Sequence, residues 1–260
     1  MGSAYFKFSV RFLRELENEE HFIKRLQRES EGALKISAPK SFGSFLFADA
    51  VAEFASLHPD INVSLTLDDS SSLQTKSIEY EFDVAIRLMA IEDSTAVARK
   101  IGGIDWIACA SADYILRHGA PQHPQDLTKA NCLVHPKLAS DNLWRFVSGN
   151  RIVAVKVGGT FASNSVVVLR RAALRGLGIA LLPLYRVQRD LASGELVQVL
   201  KDYPLQERPF YVLLPDNRLM PEKVRLFIDF LARWYRQNGE SFRLADGDAL
   251  SNHGIEASHA

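Results

Sequence analysis

The residues of this chain that could do chemistry stand just after short apolar runs. Lys40 and Ser41 follow Pro39 at the end of residues 33–38, Ser70 and Ser71 follow residues 61–67, and Arg87 closes residues 82–87. A cation, a few hydroxyls and the free N–H groups of a starting helix can hold a small polar or anionic ligand. They do not compose a catalytic centre. The sequence has no His-Glu-x-x-His helix, no P-loop and no Gly-x-Ser-x-Gly elbow. Cys109 and Cys132 lack the paired spacing of a zinc site. Gly176-x-Gly178 comes after a helical pattern, the wrong order for a dinucleotide fingerprint, and reads as turn and tight packing. No metal or cofactor is therefore expected. Dispersed histidines and acids that converge in the fold leave a hydrolase or lyase as the enzymatic alternative to binding.

The elements that must position these residues follow from hydropathy. Leu34 and Ile36 alternate with Lys35 and Ser37, the pattern of a strand with one face buried. Phe42, Phe45, Leu46, Ala50, Phe54 and Leu57 predict a helix stopping near His58-Pro59, and residues 61–67 alternate as a second strand. A polar turn over 68–72 and a short helical stretch lead to a third strand at 82–87. Strand, helix, strand, helix, strand is the order of an α/β unit with a mainly parallel sheet, whose ligands sit beyond the carboxyl ends of the strands. Residues 38–42, 68–72 and 87–89 all follow such ends.

Beyond a strand at 105–110 the pattern changes in the polar, proline-containing region 117–131, and a second lobe repeats the α/β logic. Residues 132–134 and 151–157 read as strands, and residues 163–175 read as a helix capped by Ser163 or Asn164 and ended by Gly176 and Gly178. Residues 179–182 form a buried strand, Pro183 opens a helix ending near Gly194, residues 209–214 form a strand, and Pro221 opens the last helix. Before all this, residues 5–29 form one amphipathic helix without Pro or Gly, whose stripe needs either a partner helix or its own domain to cover it. Residues 238–260 lack a sustained period and read as a disordered tail.

Lys plus Arg equals Asp plus Glu at 31 each, so overall charge favours neither nucleic acid nor an anionic membrane. The start lacks the uninterrupted apolar core of a signal peptide, and no run reaches the roughly 18 apolar residues of a membrane span. With two cysteines and no disulfide framework, a cytoplasmic protein is expected.

In this order, several short words resemble the effector-binding domain of LysR-type transcriptional regulators. They are Gly32 to Pro39, Phe82 to Arg87, Asp93-Ser94, Val97-Ala98-Arg99, Gly176 to Pro183, and Pro221 to Arg225 followed by Phe227 to Leu231. The resemblance covers about residues 5–237. It implies an α/β fold of two Rossmann-like lobes, like a type 2 periplasmic binding protein, with a ligand cleft. It implies a linker (dimerisation) helix at 5–29, lobe I at 32–108 plus 209–237, and lobe II at 109–208. The family's winged helix-turn-helix finds no counterpart upstream of Met1, so DNA contact is expected only through a head domain absent from this chain. Leu88-Met89-Ala90 departs from the family's usual glycine and reshapes the expected cleft floor.

By position, the resemblance assigns Pro39, Lys40, Ser41, Phe42, Ser70, Ser71 and Arg87 to the ligand wall of the first lobe. It assigns His135, Asn164, Ser165 and Val166 to the second. The implied effector is a small anionic metabolite such as an organic acid, the implied partner is a second copy in a homodimer or homotetramer, and no enzyme activity or membrane contact is implied. Each residue also has a plainer reading. Ser41, Ser70 and Asn164 could be caps or turn formers, Arg87 an internal ion-pair residue, Lys40 a solvent-facing cation, and His135 a surface histidine. A different class of function is a headless partner forming mixed dimers with an intact regulator.

Overall fold

The structure is a computed structural model that describes residues 31–68, 82–88, 97–136, 142–205, 208–214 and 220–239. The helix expected at 5–29, Ser70, Ser71, Met89 and the tail from 240 lie outside the described residues. The chain divides into two compact units. The first gathers the described residues of 31–40, 47–99 and 211–233, and the second those of 41–46, 100–210 and 234–239.

In the first unit β1 (Gly32–Ala38) runs parallel to β2 (Ile61–Leu67) on one side and to β3 (Val84–Arg87) on the other. Antiparallel β11 (Arg208–Leu214) follows β3, and β4 (Val97–Ile104) completes the sheet in the order β2-β1-β3-β11-β4. β1 is an interior strand. Leu34 and Ile36 are buried as their alternation predicts, but Ser37 on the opposite face is also fully buried, contrary to the solvent face that its position suggests. β2 lies at the edge and keeps the clean alternation of a half-covered strand, with Asn62, Ser64 and Thr66 exposed.

One turn of helix, α1 (Lys40–Phe42), a π-helical turn (Gly43–Phe47) and α2 (Ala48–Leu57) follow β1. The π-turn changes the face that the sequence pattern assigns. Its wider turn advances each residue by less than the 100° of an α-helix, bringing Phe47 onto the buried side with Leu46 and Ala50. Phe45, expected to face inward, is 49% exposed, and Leu57 at the helix end is also exposed. Phe54 packs edge-on against Phe227 of α6 (Glu222–Asn238), centroids 5.0 Å apart, and Phe47 meets the same ring. Val224, Phe227, Ile228 and Leu231 supply the buried stripe of α6, at the spacing of one helix face.

The second unit contains β5 (Trp106–Ser111), β9 (Ile179–Pro183), β6 (Cys132–Leu133) and β10 (Leu196–Val199), in the order β10-β5-β9-β6. β5 is antiparallel to both β9 and β10, and only β6 is parallel to β9, so this sheet is more mixed than a repeated α/β pattern predicts. Every residue of β5 and β9 is buried. α3 (Ala112–His118) follows β5, and an antiparallel hairpin of β7 (Leu143–Ser148) and β8 (Arg151–Lys156) adds a second, two-stranded sheet. α4 (Val166–Leu174) precedes β9 and α5 (Leu184–Ser193) follows it, buried at Leu184, Val187 and Asp190. Gly194 closes α5 in the left-handed conformation, φ +75°, which glycine adopts without steric cost. In β4, Tyr235 donates to the carbonyl of Gly103 and accepts from its N–H at 3.0 Å. A Cβ on Gly102 would stand 2.1 Å from the Tyr235 ring, so only glycine fits there.

Candidate functional site

In the first unit the site is built where β1 and β3 end side by side. The register pairs Ser37 with Ala85, two residues before Arg87, so the long arginine side chain can reach back to the serine. Arg87 Nη1 donates to Ser37 Oγ at 3.3 Å and to the Ile86 carbonyl at 2.7 Å. Nη2 is buried and has no hydrogen-bond partner among the described residues. No ion pair involving Arg87 occurs among the described residues. Burial holds its guanidinium below the usual arginine value, and the charge of Asp68 opposes that shift. The Asp68 N–H donates to the Ala38 carbonyl at 2.9 Å, fixing the end of β2 beside the same point.

The result is a desolvated cation with one nitrogen clamped and another still offering its protons. A carboxylate or similar anion is the group that such a donor lacks. Pro39 is half-buried between β1 and α1, and Lys40 is exposed at the start of α1. Ser37, absent from the residues selected by sequence, orients the guanidinium. The signal that could have found it was a serine at the penultimate position of an interior strand.

The second unit holds the remaining candidates in two groups. Ser41 is half-buried, and its Oγ lies 3.4 Å from the hydroxyl of Tyr185 in the first turn of α5. Phe42 is 1% exposed and packs on Phe210 with centroids 5.1 Å apart, which makes it a core ring in this conformation. His135 follows Val134, which bridges to Ala162 and accepts a hydrogen bond from the Ser163 N–H at 3.0 Å. That pairing sets His135 alongside the loop that enters α4. There the expected cap differs: Ser165 occupies the N-cap without a side-chain cap bond, while Ser163 Oγ accepts from the Ser165 N–H at 3.2 Å. Asn164 is exposed, Ser165 half-buried and Val166 buried at the start of the helix. The structure thus separates donors such as Ser41, Asn164 and Ser165 from side chains committed to packing.

Among the described residues, no cluster of His, Cys, Asp and Glu could hold a metal ion, and no helix is long and apolar enough to cross a membrane.

The family model of the LysR substrate binding domain matches residues 27–236. An uncharacterized HTH-type transcriptional regulator of Haemophilus influenzae is 30% identical over 223 residues, covering 86% of this chain and 76% of its own. The HTH-type transcriptional regulator PtxR of Pseudomonas aeruginosa is 29% identical over 247 residues, covering 95% of this chain and 78% of its own. Among solved structures, the full-length Vibrio cholerae virulence activator AphB matches with a TM-score of 0.70 and 30% identity, over 90% of this chain and 78% of that one. The regulatory domain of CrgA from Neisseria meningitidis matches with a TM-score of 0.67 and 26% identity, over 78% of this chain and 98% of that one.

Proposed function

This chain belongs to the LysR-type transcriptional regulators, and from that premise we propose that it senses a small organic acid anchored by Arg87. It has the two-lobed, periplasmic-binding-protein-like α/β fold of their regulatory domains, and regulators of this family bind small-molecule effectors and form oligomers. The observation that carries the reading is the buried Nη2 of Arg87, which has no hydrogen-bond partner among the described residues although Nη1 of the same guanidinium is held by Ser37 and Ile86.

A guanidinium in this setting keeps its charge at the expense of its hydration. An anion restores both the charge balance and the missing hydrogen bond, and its carbon skeleton determines which metabolite is accepted. Pro39 and Lys40 border the same strand end and are the next candidate contacts. The effector changes the regulator's state only by the difference between its affinities for the two conformations. The matched relatives are transcriptional regulators, which supports sensing rather than turnover as the outcome of binding.

A thermal-shift screen of small organic acids tests the proposal on the wild type and on Arg87→Gln. At least one acid should raise the melting temperature of the wild type and leave that of the variant unmoved. A hit that stabilises both proteins equally would place the ligand away from Arg87.

A further inference from the structure

Arg186 is the second guanidinium with a buried, unpartnered donor among the described residues: its Nε has no hydrogen-bond partner. It stands in the first turn of α5, four residues before Asp190, the spacing at which helices pair opposite charges. That pairing is pre-empted. Both carboxylate oxygens of Asp190 accept from Arg170 of α4, one of them from Nε at 2.6 Å. The first turn of α5 carries no acid of its own, and the helix's positive end adds potential of the same sign. Glu195 acts on Arg170. Burial and then the charge of Arg170 lower Arg186 from the usual arginine value. Arg170 therefore holds the carboxylate that stands one helical turn from Arg186, and only its charge acts on Arg186.

The surroundings of Arg186 favour an organic anion. The Phe45 ring lies 3.4 Å from the guanidinium carbon, covering one face and fixing its plane. The hydroxyls of Tyr185 and Ser41 lie 3.4 Å apart and bring two polar groups to the start of α5. A planar fork suits the two oxygens of a carboxylate, and a half-exposed phenyl ring suits the carbon body behind it. Inorganic phosphate would engage the fork and leave the ring unused.

We propose that Arg186, flanked by Phe45, Tyr185 and Ser41, is a second binding point for the carboxylate of an organic acid. The inference rests on the effector-sensing reading and gives the second unit an anion-binding point of its own. Side-chain arginine N–H spectra of the 15N-labelled protein, titrated with benzoate, succinate and inorganic phosphate, report on it. Arg186→Lys and Arg87→Lys identify the two resonances. Benzoate or succinate should shift the Arg186 Nε–H saturably, and Phe45→Ala, which keeps that resonance, should weaken the titration by about threefold or more. Movement of the Arg87 resonance alone would overturn the role of Arg186 and leave effector sensing standing. Phosphate shifting Arg186 as tightly as the carboxylates do would overturn the ligand class. If neither resonance moves with any probe, both readings fail.

Discussion

Replacing Arg87 by Gln should separate ligand binding from folding. In the ligand-free protein the substitution removes two hydrogen bonds from Nη1, to Ser37 Oγ and the Ile86 carbonyl. Bonds to charged groups contribute about 1.5–3 kcal/mol each at most. The Ile86 partner is a backbone carbonyl one residue away, and the glutamine amide can still donate to Ser37, so part of this is kept. The same substitution removes a half-buried cation whose buried Nη2 is unsatisfied, relieving a penalty of about 1–3 kcal/mol at most. The two effects nearly cancel, and the unliganded variant should melt within a few degrees of the wild type. In the complex nothing cancels: losing one partner of a buried charge pair costs about 2–5 kcal/mol, or roughly 30-fold to a few thousandfold in Kd. At a ligand concentration about 100 times Kd the wild type gains about 2.7 kcal/mol, and the variant should gain almost nothing. Calorimetric titration and parallel melts measure both quantities. A variant that binds the acid with wild-type affinity, or one whose unliganded form unfolds outright, would show that Arg87 is a structural strut and refute the reasoning.

Ser37→Ala should cost about 1 kcal/mol by urea unfolding and loosen, without abolishing, acid binding, because Arg87 keeps the Ile86 carbonyl. Asp190→Asn should destabilise the protein by about 3 kcal/mol or more, since the Asp190 side chain is 4% exposed and its loss of charge strands Arg170. Gly102→Ala should be severely destabilising in the wild type and much milder beside Tyr235→Ala, a non-additive pair in a double-mutant cycle, because the new methyl group collides with the tyrosine ring. Cys109 and Cys132 are buried, and burial pushes both thiols up to about 12. Neither should react with a disulfide reagent in the native protein at pH 8, while both should react in urea. Their raised values also give a sign: the stability they contribute is complete below the ordinary thiol range and is lost as pH rises through it towards about 12, which an alkaline melting series measures.

Much of the framework is written in local patterns. Residues 61–67 alternate because β2 is an edge strand with one covered face, and the helix after Pro183 ends at Gly194 because that position is left-handed. What escapes local reading depends on neighbours distant in sequence. β4 was legible only as a family word at Val97–Arg99, since VARKIGGI shows neither alternation nor a continuous apolar run. β7 escapes for no such reason: Trp144 and Phe146 alternate with Arg145, and the Gly149-Asn150 pair that follows is a two-residue hairpin signal. Ser37 looks solvent-facing because period two reports which residues share a face, not whether both faces are covered. The partnership of Arg170 with Asp190 joins two helices separated by a buried strand, and no spacing rule connects residues twenty positions apart.

The π-turn at Gly43–Phe47 shows how one such omission changes a site. Read as a continuous α-helix, residues 42–57 place Phe45 in the apolar stripe and give no reason to look at Arg186. With the wider turn, Phe47 takes the inward place and Phe45 rotates out to meet the guanidinium. The turn begins directly after Ser41 and Phe42, and α2 begins where it ends, so a change in the π-turn would alter the phase between them. Deleting Ser44 tests this, because an exposed position is removed and the segment can close as ordinary α-helix. The expected protein folds, loses the Phe45 contact to Arg186, and binds carboxylates more weakly at Arg186 while keeping its Arg87 titration. Unchanged Arg186 titration in that variant would mean that the ring has no part in orienting the guanidinium.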